Sequence, residues 1–247
     1  MIDFHCHALP GVDDGSKSLE ESVEMLERSA RQGITVMALT PHFYADSDTP
    51  ERFLIRRASA MEQLRRARKP NHPRLLAGAE VCYFPGIQRS AEISDLCLEG
   101  TPYLLLEMPF VPWTSRITDE VLKLNRRYRI KVVLAHIDRY LYIQKPRVIR
   151  ELFENDILFQ AGADSFLNWR QRRHMFQMLK EGKLAFLGSD CHNLTTRPPC
   201  LGQAMTMIAK KLGSQAVETF KAENYAAVFG ESVPAFDFPF RVSMPRG

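Results

Sequence analysis

Short apolar runs alternate with amphipathic runs along almost the whole chain, and that alternation limits the folds open to it. The apolar runs Ile2–Cys6, Ile34–Leu39, Leu75–Val81, Tyr103–Glu107, Lys131–Ala135, Ile157–Gln160 and Leu184–Gly188 have the length of strands. Residues 18–32, 50–69, 89–98, 117–128, 146–155, 168–181, 201–212 and 215–228 read as helices. The first helix is the most explicit. Ser18 and Glu21 have capping-box spacing, Leu19, Val23, Leu26 and Ala30 recur on one face, and Gly33 ends the run. Repeated β–α units imply a parallel sheet. The strands are too apolar to leave one face in water, so helices must cover it. About seven units fit a closed α/β barrel somewhat short of the usual eight, with an open doubly wound sheet as the alternative. No repeat, low-complexity stretch or linker divides residues 1–247, which predicts a single domain. The Pro- and Phe-rich tail, about 231–247, is expected to be irregular and to pack on the barrel or on a neighbouring subunit, which keeps a homo-oligomer open.

A hydrophobic content of 45% and a charged content of 25% supply a core that needs no structural metal or disulfide. Any metal site is then expected to be functional. The net charge of +4 is too small to read as a nucleic-acid signature. The basic clusters Arg65/Arg66/Arg68/Lys69, Arg126/Arg127/Arg129 and Arg170/Arg172/Arg173 read as solvated helix surface. Two of them stand at helix ends, where cations complement the macrodipole. Ligand-bearing strand sequence begins at once, arguing against a secretory leader, and no apolar run is long enough to cross a membrane. Five cysteines without framework spacing are expected to be reduced, in the cytoplasm.

Metal-binding residue types gather where the strands end. His5 and His7 close the first strand and His42 follows the second. Glu80 and Glu107 stand at the ends of the third and fourth, and His136 follows the fifth. Asp190 and His192 follow the seventh. Residues two apart on a strand share a face, so His5 and His7, and likewise Asp190 and His192, should point inward together. In a parallel barrel every strand C-terminus lies at one mouth, and Asp14, on the loop after the first strand, can reach over that rim. A lone histidine at a strand end is usually a hydrogen-bonded core or loop residue. This many imidazoles and carboxylates in one place, without a cation, would leave several charges unpaired. His72 and His174 fall outside the pattern and are expected at the surface. Nine candidate ligands suit about three metals, or two if some serve in support. A mixed imidazole–carboxylate set without thiolate suits Mn, Fe or Zn.

Taken in order, DFHCHALPGVDDG, TPHF, GAEV, LLLEMP, AHIDRY and SDCHN…RPP resemble the PHP-domain metallophosphatases. They are most similar to the bacterial protein-tyrosine phosphatases of capsule and exopolysaccharide loci; the DDG after the first histidine pair carries that choice. The resemblance spans residues 3 to 199. It implies a distorted (β/α)7 barrel and a trinuclear, usually manganese-dependent site, with Fe, Zn or Mg as other occupants. It also implies a phosphorylated tyrosine kinase that controls polysaccharide synthesis as the protein partner. Under it, His5, His7, Glu80 and Asp190 hold one metal. Glu80 bridges to a second with Glu107 and His136, and Asp14, His42 and His192 hold the third. Arg139 and Arg197 match arginines that grip phosphate. Asp138 stands where many members have glutamate, outside the ligand set. In such a site a water shared by two metals is ionised and attacks phosphorus in line.

Three rival readings remain. Cys191 and Arg197 have the spacing of cysteine-dependent tyrosine phosphatases, although the loop between them, HNLTT, lacks glycine and strand alternation turns Cys191 away from the site. A metal-binding regulatory module would bind metal without turnover. A phosphoesterase of the same superfamily would act on a small monoester such as histidinol phosphate, or on a phosphodiester.

Overall fold

The structure is a computed structural model that describes residues 1–127 and 130–230. Arg129 and the tail expected over about 231–247 lie outside the described residues.

The parallel α/β alternation is present. In chain order come β1 (Ile2–Cys6), α1 (Leu19–Arg31), β2 (Val36–Leu39), β3 (His42–Phe43), α2 (Pro50–Ala67), β4 (Arg74–Ala77) and β5 (Glu80–Cys82). Two 3₁₀ turns, Ile87–Arg89 and Glu92–Leu96, stand where one helix over 89–98 was expected. Then follow β6 (Tyr103–Glu107), α3 (Ser115–Arg127), β7 (Lys131–Leu134), α4 (Ile137–Tyr140), α5 (Pro146–Glu154), β8 (Leu158–Gly162), α6 (Asp164–Leu167), α7 (Arg172–Lys180), β9 (Phe186–Gly188), α8 (Leu201–Leu212) and α9 (Ser214–Phe229). Helix α1 starts as its sequence signals it should: Ser18 Oγ accepts from Glu21 N at 3.2 Å. The Glu21 carboxylate reaches back one residue further than a capping box requires, to Lys17 N at 2.9 Å.

The strands form a three-stranded sheet in the order β1-β2-β4 and a six-stranded sheet in the order β3-β5-β6-β7-β8-β9, with every pair parallel. The expected single strand Leu75–Val81 is therefore two. It breaks at Gly78–Ala79, where the chain leaves the partner of β2 and enters the larger sheet. Gly78 suits the crossing, because a Cβ there would sit 3.1 Å from Thr40 Cγ2. At the far end Asp190 N donates to His5 O at 2.8 Å and His7 N to Cys191 O at 2.9 Å, so the segment after β9 bonds back to β1 and the parallel sheet curls.

Two apolar layers hold this arrangement. Inside the curl, Phe4 stacks on Phe186 with centroids 3.8 Å apart, and Tyr103 meets both edge-on. Outside, the helices cover the larger core that includes Leu26, Met37, Leu106, Val132 and Phe159. With both faces filled, the chemistry can emerge only where the strands end. His72 departs from its expected place at the surface. The Pro-flanked loop folds its ring under α1, where Nε2 meets Glu27 Oε2 at 2.9 Å and the side chain is buried. His174 is exposed as expected.

Candidate metal centre

All nine predicted ligands reach one place at the C-terminal ends of the strands. His5 Nε2 and His7 Nε2 face each other at 3.0 Å. Glu80 Oε2 lies 3.1 and 3.2 Å from these two nitrogens, and Asp190 Oδ1 lies 3.5 and 3.4 Å from them. Glu80 Oε2 is also 3.2 Å from His42 Nδ1, while its Oε1 meets His136 Nε2 at 2.9 Å. Glu107 Oε1 approaches His136 Nε2 at 3.4 Å. Asp14, on the exposed loop, brings Oδ1 within 3.7 Å of His42 Nε2 and 3.5 Å of His192 Nε2.

The ligand atoms fall into three groups whose members lie within 4.8 Å of one another: His5/His7/Glu80/Asp190, His7/Asp14/His42/His192 and His42/Glu80/Glu107. The first is the set the resemblance implied. The second adds His7 to its expected three. The third replaces His136 by His42, although His136 touches both carboxylates of that group. The donor chemistry fits cations. His42 Nδ1 and His192 Nε2 are buried without a hydrogen-bond partner, an arrangement that asks for an ion or water at each.

Strand alternation delivers only part of this set. His136 and Asp190 follow the ends of β7 and β9 in the left-handed region, at φ of 32° and 51°. L-residues in that region carry about 1–3 kcal/mol of strain each, and here the twist turns both side chains into the cluster.

The buried charges polarise one another. Burial raises the Glu80 carboxyl, but His5, His136 and His7 overcome it and hold it well below its usual range. Asp190 is lowered strongly in the same way, against burial, chiefly by His5 and His7. His136 is raised to about 9: burial opposes its charge, and Glu107 and Glu80 outweigh that. His7 is also raised, against burial, by Asp13, Asp190 and Glu80. His192 is depressed to about 4 by burial and by the positive neighbours His7 and Arg197. The imidazoles of His7 and His136 and the carboxylates of Glu80 and Asp190 thus each favour the charged form of the other.

Arg139 and Arg197 both place Nη2 on Asp190 Oδ2, the second at 2.5 Å. Asp190 thus faces the imidazoles with one oxygen and the arginines with the other. Both guanidinium side chains keep about a third of their surface in solvent.

Sequence reasoning missed the residues that aim the ligands. Asp13 Oδ2 accepts from His7 Nδ1 at 2.6 Å and from His42 N at 2.9 Å, while its Oδ1 accepts from Gly15 N at 3.0 Å. Gln160 Oε1 sits 3.3 Å from His5 Nδ1 and accepts from His136 N at 2.7 Å. Such partners fix the tautomer and orientation of a ligating imidazole. The doubled aspartate of DDG carried a signal for Asp13; Gln160, ending a strand run, carried a weaker one.

The cysteine-phosphatase arrangement is absent. Cys191 is fully buried, in the core with Cys6. The amides after it are already bonded: His192 N and Asn193 N to Arg197 O, and Thr195 N, Thr196 N and Arg197 N to Asn193 Oδ1. None of these is left for a phosphate.

Aromatic rings border the opening. Phe110, 51% exposed, lies nearly parallel to His136 at 6.0 Å, and Tyr44, 42% exposed, lies 5.2 Å from His42.

Known proteins resemble this chain along most of its length. The family described as Capsular polysaccharide synthesis, CpsB/CapC matches residues 1–230. The tyrosine-protein phosphatase CpsB of Streptococcus agalactiae serotype V is 30% identical over 243 residues, covering 92% of this chain and 98% of that protein. The tyrosine-protein phosphatase YwqE of Bacillus subtilis is 29% identical over 220 residues, covering 87% and 86%. In fold, the chain is similar to a structure from the work on YwqE from Bacillus subtilis and CpsB from Streptococcus pneumoniae, described as unique metal-dependent tyrosine phosphatases. The TM-score is 0.80 at 22% identity, over 94% of this chain and 96% of that one.

Proposed function

This chain belongs to the CpsB/CapC family of capsular polysaccharide synthesis, and from that premise we propose that it is a metal-dependent protein-tyrosine phosphatase. Its substrate is the autophosphorylated tyrosine kinase that governs polysaccharide synthesis. The observation that carries the reading is the convergence of nine imidazole and carboxylate side chains beside two arginines that keep about a third of their surface in solvent. We read the curled sheet as a distorted (β/α)7 barrel, in which β3 prolongs β2 and β5 prolongs β4. About three manganese ions occupy the three ligand groups, held by His5, His7, Asp14, His42, Glu80, Glu107, His136, Asp190 and His192. Bound there, such cations supply positive charge and a water acidic enough to act as nucleophile near neutral pH.

The chain's own residues do the rest. Arg139 and Arg197 present planar forks that fit two phosphate oxygens at once. Both lean on Asp190, so the phosphate-gripping charges are tied to the ligand cluster. Asp13 and Gln160 hold His7 and His5 in the orientation that keeps their Nε2 atoms inward. Phe110 and Tyr44 offer apolar walls to an aryl group entering between them. A phenolate, whose conjugate acid has a pKa of about 10, leaves without a strong general acid. The described helices include none long and apolar enough to cross a membrane. The five cysteines are unpaired, in keeping with a reducing, cytoplasmic setting.

The test is a panel of metal-stripped protein with Mn, Mg, Zn or Fe restored, against phosphotyrosine peptide, phosphoserine peptide, histidinol phosphate and a diester. The reading expects phosphotyrosine turnover that depends on metal and is greatest with Mn. Preference for histidinol phosphate or the diester would replace it with the small-substrate reading. Metal binding without turnover would leave a regulatory module.

A further inference from the structure

A basic groove of about 790 Å³ lies between α7 and α8, apart from the metal centre. Arg172, Arg173 and Lys180 line it from α7, Lys210 and Lys211 from α8, and Trp169 stands at its edge with 71% of its surface exposed. No aspartate or glutamate contributes to the lining.

Three features separate this groove from an ordinary solvated helix surface. The α7 residues follow the spacing i, i+1, i+8 and the α8 lysines continue Met207 at i+3 and i+4, so each helix turns one face into the groove. None of the five cations has a carboxylate partner among the described residues, whereas most exposed arginines of α1 and α2 do. Arg172 and Arg173 also occupy the first turn of α7, where the macrodipole opposes cations, so helix stability does not account for them.

The groove also has a direction. Helix α8 follows β9, the strand after whose C-terminal end Asp190 and His192 join the metal centre. It begins at Leu201, four residues after Arg197. From Arg172 to Lys180 the groove runs about 12 Å along the helix, the span of roughly four residues of extended peptide.

We propose that this groove docks an acidic segment adjoining the phosphotyrosine of the protein substrate, with Trp169 covering its aliphatic stems; this rests on the phosphatase reading. The concave shape and line of unpaired cations suit a single extended anionic chain. Docking concentrates the substrate at the mouth and leaves the chemistry unchanged, so it is read in KM.

The test uses the full-length, manganese-loaded protein and two phosphotyrosine peptides, one with a run of about four glutamates beside the tyrosine and one with glutamines there. The acidic peptide should show a kcat/KM about tenfold higher, through KM, and lose the advantage at high salt. The triple reversal Lys180→Glu, Lys210→Glu, Lys211→Glu should abolish the preference and leave p-nitrophenyl phosphate turnover unchanged. If that turnover is lost through misfolding, the triple Lys→Gln carries the same expectation.

Equal kcat/KM for the two peptides, or a preference that survives in the variants, overturns the proposal. So does equal peptide turnover accompanied by salt-sensitive binding to phosphatidylglycerol vesicles, which would make the groove a membrane face. Should no phosphotyrosine peptide be hydrolysed, the phosphatase reading fails by itself. Quenching of Trp169 fluorescence by an unphosphorylated glutamate peptide then still decides the groove, since Trp113, the other tryptophan, is buried.

Discussion

Replacing Asp13 by asparagine should weaken metal binding without touching a ligand. Three donors converge on this carboxylate: His7 Nδ1–H and His42 N–H on Oδ2, and Gly15 N–H on Oδ1. Asparagine has one acceptor oxygen. If that oxygen takes the Oδ2 position, the amide NH₂ faces Gly15 N–H, donor against donor. The negative charge that favours a proton on His7 Nδ1, and so frees Nε2 for metal, is also gone. A hydrogen bond to a charged group is worth about 1.5–3 kcal/mol net, and a donor left facing a donor about 1–3 kcal/mol. Part of that loss falls on metal affinity, where removing such a supporting partner typically weakens binding about 10–100-fold. At 1.4 kcal/mol per decade this is about 1.4–2.8 kcal/mol. Calorimetric titration of stripped Asp13→Asn with Mn, beside wild type, measures it. Unchanged affinity in a folded variant would refute the claim that Asp13 aims His7.

Other consequences can be measured independently. Metal loading near neutral pH should release protons, because His7 is raised and His136 is raised to about 9, so both hold protons that a bound cation must displace. Calorimetry in buffers of different ionisation enthalpy reads this, and a buffer-independent heat would contradict it. Burial raises Asp3 to about 6, with hydrogen bonds from Ser189 and His5 partly offsetting it. A raised folded pKa means the native state binds this proton more tightly than the unfolded chain, so Asp3 destabilises the protein progressively as pH rises from about 4 to 6. In chelator, Asp3→Asn should therefore gain stability over wild type across that window, by about 3 kcal/mol at most, and hold a constant gain above it; a flat difference in urea midpoints would refute this. Phe110→Ala should raise KM for aryl phosphates several-fold and spare alkyl phosphates, whereas an equal effect on both would remove the ring from substrate binding. Cys191→Ala should stay active, and an inactive yet folded variant would revive the cysteine mechanism.

The sequence made legible what depends on residue type and order. Parallel alternation, the capped start of α1 and the convergence of nine imidazole and carboxylate side chains could be read because metal chemistry needs those residue types, and a parallel sheet puts every strand end on one side. What stayed hidden depends on backbone geometry. Nothing in AGAEV announces that the chain changes sheets at Gly78, since both halves are apolar and only their hydrogen-bond partners differ. Nor does AHID or SDCH announce left-handed turns at His136 and Asp190, because tertiary contacts impose that strain on residues that disfavour it. His72 was misplaced because a Pro-flanked polar loop ordinarily stays in water; Glu27 on α1, distant in sequence, draws the ring inward. Gln160 was overlooked because an amide carries no charge, and its role lies in the two histidines it orients.

Anomalous diffraction at the manganese edge, from crystals of protein that hydrolyses phosphotyrosine, tests the central claim most directly. The account predicts peaks enclosed by His5, His7, Glu80 and Asp190, by Asp14, His42 and His192, and beside Glu107 and His136. An active crystal with no peak among these side chains would contradict it.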